Sequence, residues 1–230
     1  MSLFGEIVEP GTRVAWEDWD DVSQGTENTE LKWTNILEVS DTVDLLLILD
    51  GKQLSDTVKL QEQDSIELIN TVKEASLSLY KIKLRNAYIC ILKDYNLLLS
   101  SAIVELLREF IEKSKDIIVF LNKPLAEYQT SNLTYHQPCV VRCLKTTKNL
   151  TNSHGLNFPK LEQPNIISGV AAGVMTLREH YNLAAMAVVI FMEYLENSKL
   201  EEVYSLLQNL DISVSTNQMP NSVANSNLYI

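Results

Sequence analysis

The stretch from Ala87 to Leu121 constrains the fold more than any other. An apolar run, Ala87 to Leu92, is followed by an amphipathic segment and then by a second run, Asp116-Ile117-Ile118-Val119-Phe120-Leu121. Ile103, Leu106, Leu107, Phe110 and Ile111 stand at i, i+3, i+4, i+7 and i+8, one face of a helix that Ser100 or Ser101 caps and Lys113 closes. Strand, helix and strand within about 35 residues fit a right-handed parallel crossover. The expectation is an α/β fold with a mixed, largely parallel sheet.

Neighbouring segments extend that pattern. Val43-Asp44-Leu45-Leu46-Leu47-Ile48-Leu49, halted by Asp50-Gly51, reads as a buried strand ending in a turn. Ala75, Leu77 and Leu79 alternate with Ser76 and Ser78, which pairs this segment with Ala87 to Leu92 as a hairpin. Ile82 and Leu84 fall on the opposite parity, so a bulge or a change of face is expected there. Cys139 to Leu144 forms another strand before a polar surface loop around Lys145 to His154. Ser168 is placed to cap a helix with Val170, Val174, Leu177 and Tyr181 on one face, followed by a strand from Ala184 to Phe191. Ser198-Lys199-Leu200-Glu201 is a capping-box pattern, and Leu200, Val203, Tyr204, Leu207 and Leu210 continue it as a last amphipathic helix.

Three regions result. Residues 1–35 are an acidic, mostly extended arm in which Glu17, Asp18, Asp20 and Asp21 surround Trp16 and Trp19 without periodicity. Residues 36–215 are a single α/β domain, and residues 216–230 are a polar, flexible tail with a reach of about 20 Å. Its last residues, Leu228-Tyr229-Ile230, set an apolar side chain, a phenol and a terminal carboxylate in fixed order, a plug that a lysine-bearing pocket can grip.

Charge and motif content narrow the function. A formal charge of −11, with no long Lys/Arg run, opposes binding to nucleic acid. The first residues lack a basic region followed by an apolar stretch, and the run from Leu183 to Met192 is too short to span a bilayer, so neither a secretory signal nor a membrane is expected. Cys90, Cys139 and Cys143 are odd in number, and two lie in apolar runs, which fits buried thiols in a reducing compartment. Only seven glycines are present, without a Gly-rich phosphate loop or a nucleophile elbow. His136, His154 and His180 lack paired catalytic partners, and Cys139 and Cys143 lack the second pair that a closed zinc site needs. The expectation is no enzyme activity, no cofactor and no metal. The alternative kept beside it is a phosphorylase- or hydrolase-like enzyme, which a polar pocket of convergent carboxylates or histidines would revive.

Leu161-Glu162-Gln163-Pro164-Asn165-Ile166, the helix and strand after it, the opening Leu3-Phe4-Gly5-Glu6-Ile7-Val8 and the ending Ser226-Asn227-Leu228-Tyr229-Ile230 together resemble the proteasome assembly chaperone 1 family. That resemblance implies a three-layer α/β/α sandwich related to phosphorylase-like enzymes, with the scaffold transferred and not the activity. It also implies a non-catalytic chaperone, which the thiols place in the cytoplasm, with the nucleus kept as a second compartment. Such a chaperone pairs as a heterodimer with a proteasome assembly chaperone 2-like protein. It binds the α-subunit ring and its assembly intermediates and promotes assembly of the 20S core particle. The tail residues Leu228, Tyr229 and Ile230 then dock between neighbouring α subunits; apart from the resemblance, Trp16 and Trp19, as tryptophans in an otherwise unpatterned acidic segment, are the candidates for a secondary contact. A related module, such as the partner chaperone itself or a cap on mature particles, would share the tail and differ in its other contacts.

Overall fold

The structure, a computed structural model, describes residues 30–37, 39–51, 54, 66–83, 85–130, 139–152, 155–192 and 208. Seven strands form one sheet: β1 Val43–Asp50, β2 Ile66–Val72, β3 Leu77–Ile82, β4 Ala87–Leu92, β5 Ser114–Lys123, β6 Cys139–Lys145 and β7 Ala184–Met192. The α-helices given bounds among the described residues are α1 Ser100–Leu106, α2 Arg108–Lys113 and α3 Gly169–His180. The sheet order is β2-β3-β4-β1-β5-β7-β6. The central strands β4, β1, β5 and β7 are mutually parallel, while β2, β3 and β6 join at the two sides in antiparallel pairing. This is the mixed α/β architecture expected from the apolar runs.

The central runs carry apolar side chains at both parities because both sheet faces are buried. On one face Leu46, Ile48, Tyr88, Cys90, Ile117, Val119, Ala187 and Val189 pack beneath the helices, meeting Ile103, Leu107, Phe110, Ile111, Val170 and Val174. Leu45, Leu47, Leu49, Ile89, Ile91, Ile118, Phe120, Val188 and Ile190 form the other cluster, which also contains Leu54 and Leu156. A β-strand's period of two delivers both sets from one continuous run.

The same geometry resolves the parity change in β3. Leu77 and Leu79 enter the helix-side core, and Ile82 enters the opposite core beside the half-buried Tyr80. β3 pairs with β4 in unbroken register, so its change of parity is a change of face. The irregularity lies one strand further out, between Leu68 and Asn70 of β2. It buries Asn70 and leaves Leu68 exposed, which hides β2 from an alternation test.

Helix starts differ from the expected caps. Asn96 opens a 3-10 turn over Leu97–Leu99 by accepting from the Leu98 amide, and Ser100 lies inside the helical run that follows. Although α1 and α2 are separate segments, Leu107 donates to Ile103 and Ile111 donates to Leu107, so the helical bonding continues across the junction. Lys113 does close the run, paired with Glu109 at 2.7 Å. Ser168 flanks α3 without a side-chain cap. Its buried face is Val170, Ala171, Val174, Met175 and Arg178, while Tyr181 lies beyond the helix end and is partly exposed.

Arg178 organises that end. Fully buried, its guanidinium donates to the carbonyls of Ile111 (2.7 Å), Ser114 (2.7 Å), Lys115 (2.8 Å) and, twice, Ala184 (3.1 and 2.6 Å). The planar fork satisfies carbonyls from three chain segments at once, which a lysine ammonium does not match. Asp116, also buried, accepts from the Thr151 amide at 2.8 Å and the Asn152 amide at 3.1 Å, tying the polar loop after β6 to the sheet. Leu31, which is buried, and Trp33, which meets Phe110 edge-on at 6.3 Å, pack into this body. The side-chain amide of Asn70 exchanges hydrogen bonds with the backbone of Asn35. The expected helix from Ser198 to Leu210 lies outside the described residues except for Gln208.

Candidate functional site

The expected contact residues Leu228, Tyr229, Ile230, Trp16 and Trp19 all lie outside the described residues. The described residues offer a crevice at the carboxyl ends of the parallel strands, the place where open α/β sheets leave one.

Three features of sequence converge there. β1 ends in Asp50-Gly51, and Gly51 turns at φ 128°, a conformation that L side chains rarely adopt. After β4 comes Tyr95, whose hydroxyl donates to Asp50 Oδ2 at 3.2 Å and accepts from the Val170 amide at 3.0 Å. The Ala171 amide also bonds to Asp50. The first turn of α3 is thus capped by groups from β1 and from the loop after β4 rather than by Ser168, and an anion suits that end of the helix dipole. Gly169 makes the close approach possible: a Cβ on it would sit 2.5 Å from the Tyr95 oxygen, and its φ is 69°.

Burial pushes the Asp50 carboxyl up to about 6, while the bonds from Tyr95 and Ala171 pull it back down. The Tyr95 phenol is pushed up to about 12, first by burial and then by the neighbouring Asp50 charge. A crevice of about 340 Å³ opens beside this pair, lined in part by Lys93, Asp94, Leu97, Lys123 and Glu127. Lys123 is already paired with Glu127 at 3.1 Å. Chemically, a carboxyl titrating near 6 is able to exchange protons, yet the bonds described for Asp50 are those of a helix cap, not of a nucleophile and its base.

A second cluster lies on the Leu161–Ile166 motif. Leu161 is buried in the helix-side core. Glu162 accepts from Arg142 Nε at 3.0 Å and from the Tyr128 hydroxyl, and Arg142 also donates to Tyr128 at 2.8 Å. Burial pushes the Glu162 carboxyl up, but hydrogen bonds from Tyr128, from its own backbone and from Arg142, with the Arg142 charge, outweigh it and hold the group below its ordinary value. Asn165 accepts from the Gln129 amide at 2.8 Å and donates to the Gln129 carbonyl at 2.7 Å. The motif's polar residues fasten the segment before α3 to the sheet edge, and its last residue, Ile166, projects outward at 78% exposure.

Two loops at the carboxyl ends of the strands also carry exposed apolar side chains. Leu97 and Leu98 are 65% and 83% exposed on the 3-10 turn after β4. A Cβ on Gly169 would lie 3.3 Å from Leu97, which places the turn against the start of α3, three residues after Ile166. Sequence periodicity does not reveal these exposed side chains, because they stand in two loops; for the first of them the side-by-side Leu97-Leu98-Leu99 was the available signal.

Among the described residues, no group of three His, Cys, Asp or Glu side chains is placed to hold a metal ion. Cys90 and Cys143 are buried, and Cys139 is half-buried, each as a thiol. Burial pushes both the Cys90 and Cys143 thiols up, away from thiolate character. No described helix is long and apolar enough to cross a membrane.

No family model matches the chain. Proteasome assembly chaperone 1 of Danio rerio is 32% identical over 114 residues, covering 45% of this chain and 40% of that protein. Its Xenopus laevis counterpart is 33% identical over 94 residues, covering 40% of this chain and 31% of that protein. The matched stretches thus span less than half of these relatives' lengths. Among solved structures, Pyrococcus furiosus PbaA, an archaeal homolog of proteasome-assembly chaperone, has a TM-score of 0.53 at 12% identity, with 81% of this chain and 88% of that chain covered. A protein of unknown function from Thermoplasma acidophilum has a TM-score of 0.50 at 8% identity, with 79% and 82% covered. The sequence likeness to proteasome assembly chaperone 1 is therefore found over a part of the chain, and the fold is shared with PbaA across most of it.

Proposed function

We propose that this chain is a proteasome assembly chaperone. In this reading it pairs with a related second chaperone, binds the α-subunit ring and its assembly intermediates, and promotes formation of the 20S core particle in the cytoplasm or nucleus. The observation that carries the reading is the 32% identity to proteasome assembly chaperone 1 over 114 residues. The fold shared with PbaA is consistent with it.

The tail supplies a physical mode of attachment. Burial of Leu228 contributes about 1.5 to 3 kcal/mol, and pairing of the Ile230 carboxylate with a pocket lysine contributes about the same again. Ordering the tether offsets part of both, so the tail alone binds weakly. Contacts of the folded body, or of the second chaperone, raise the effective concentration of the tail at its pocket and make the joint attachment firm. Non-catalytic action fits the helix-capping role of Asp50, the one strongly shifted carboxyl among the described residues.

Affinity capture of the full chain from cells, with identification of its stable companions, tests the proposal. Co-purification of a second chaperone together with α-ring precursors is expected. Recovery of mature particles alone, or of no proteasome subunit, would count against it.

A further inference from the structure

We propose that Asp50, Tyr95 and the first turn of α3 form a pH-sensitive latch, closed while the Asp50 carboxyl holds its proton and loosened when the group ionises. The device belongs to one end of the sheet and does not depend on the chaperone reading given above.

Geometry makes this carboxyl the weak point. Asp50 is 4% exposed, and the groups that bond to it, the Tyr95 hydroxyl and the Ala171 amide, are neutral. These donors and the helix end favour the anion, but burial opposes it more strongly. Among the described residues no ion pair includes Asp50 to relieve that cost. The titratable groups around it come from two sides. β4 and the loop after it bring Cys90, Lys93, Asp94 and Tyr95, while β5 and the turn after it bring Lys123 and Glu127. Lys123 is already paired with Glu127, Lys93 is exposed, and burial together with the Asp50 charge pushes the Cys90 thiol up. The first turn of α3, Gly169-Val170-Ala171-Ala172, brings no charge.

The contacts that hold the rest of α3 confine the loosening to its start. Gly173 packs so closely on α1 that a Cβ there would lie 2.7 Å from Val104, and Arg178 ties the far end to the carbonyls of Ile111, Ser114, Lys115 and Ala184. Before these contacts the helix begins at Gly169, with φ 69°, beside the crevice of about 340 Å³. Freeing the first turn breaks the bonds from Tyr95 to Asp50, from Val170 to Tyr95 and from Ala171 to Asp50, and it hydrates the carboxylate while leaving the sheet intact. The turn over Leu97–Leu99 loosens with it, since Leu97 stands two residues after Tyr95 and a Cβ on Gly169 would lie 3.3 Å from it. A carboxyl that holds its proton more tightly closed than open makes opening easier as pH rises.

Amide hydrogen exchange of the full chain between pH 5 and 7.5, corrected for the intrinsic exchange rate, tests the latch. Protection of Val170 and Ala171 should fall about tenfold over that range, the change given by a carboxyl that titrates near 6 when closed and at its ordinary 3.8 when open. Urea at concentrations short of unfolding should leave that protection unaltered while lowering that of Val119 and Val188 in the sheet, because local opening exposes little surface. Asp50→Asn should flatten the pH profile. If that variant unfolds early, NMR titration of the Asp50 carboxyl in the parent serves instead, with a midpoint matching the loss of protection. Protection at Val170 and Ala171 that does not change with pH, that keeps its slope in Asp50→Asn, that falls away from the carboxyl's midpoint, or that follows urea as the strands do would overturn the latch.

Discussion

The Tyr95 hydroxyl links the Asp50 carboxylate to the first turn of α3, donating to the former at 3.2 Å and accepting from the Val170 amide at 3.0 Å. A loop residue and a strand-end residue thus do the work of an N-cap for a helix far along the chain. Tyr95→Phe removes both bonds and leaves the amide and the carboxylate to find other partners. We expect a loss of about 1 to 3 kcal/mol in chemical denaturation. Gly169→Ala meets the same oxygen at 2.5 Å and also strains a backbone at φ 69°. The double variant should therefore be less destabilised than the sum of the two single ones, because the phenylalanine removes the clashing atom. Strict additivity would mean that the close approach is not what demands a glycine there.

Asp50 gives the protein a pH dependence of definite sign. Its folded carboxyl is raised from an ordinary 3.8 to about 6, by burial above all, so the folded state holds the proton more tightly than the unfolded chain does. Stability from this group is fullest below pH about 4, falls as pH rises through about 6, and is flat above, a total of about 2 to 3 kcal/mol. Asp50→Asn keeps an acceptor for the helix end and removes the titration. Denaturation midpoints measured between pH 4 and 7 should show the parent losing stability relative to the variant over that window. Parallel profiles would contradict a buried, raised carboxyl.

Arg178 offers a test of the body independent of function. Replacing it with Met keeps much of the volume but strands the carbonyls of Ile111, Ser114, Lys115 and Ala184, and a loss of about 3 to 5 kcal/mol is expected. Arg178→Lys should recover only part of it, since one ammonium lacks the fork's geometry. Thermal unfolding followed by circular dichroism measures both. A lysine variant as stable as the parent would show that charge, not planarity, is what the site needs.

The strands of the parallel centre were legible because burial on both faces writes them as unbroken apolar runs, as in Leu45 to Leu49 and Ile117 to Leu121. β2 was not, because the irregularity between Leu68 and Asn70 scrambles its period and places an asparagine inside. Caps misled in a similar way: Ser100 and Ser168 are good N-cap residues, yet the bonds come from Asn96 and from Asp50 with Tyr95, whose hydroxyl is joined to the Val170 amide across 75 positions of sequence. Arg178 carries no mark in the sequence of its role as a buried hub, since only the fold brings its carbonyls together. In the Leu161–Ile166 motif the sequence likeness was visible, whereas the pairing of Glu162 with Arg142 and Tyr128 was not.

Attachment through the tail remains the centre of the account, and binding of the full chain to isolated α-ring precursors tests it most directly. With Tyr229→Ala, or with one residue added after Ile230 to move the carboxylate, affinity should drop by about tenfold or more while pairing with the companion chaperone persists. Undiminished ring affinity in both variants would contradict the account.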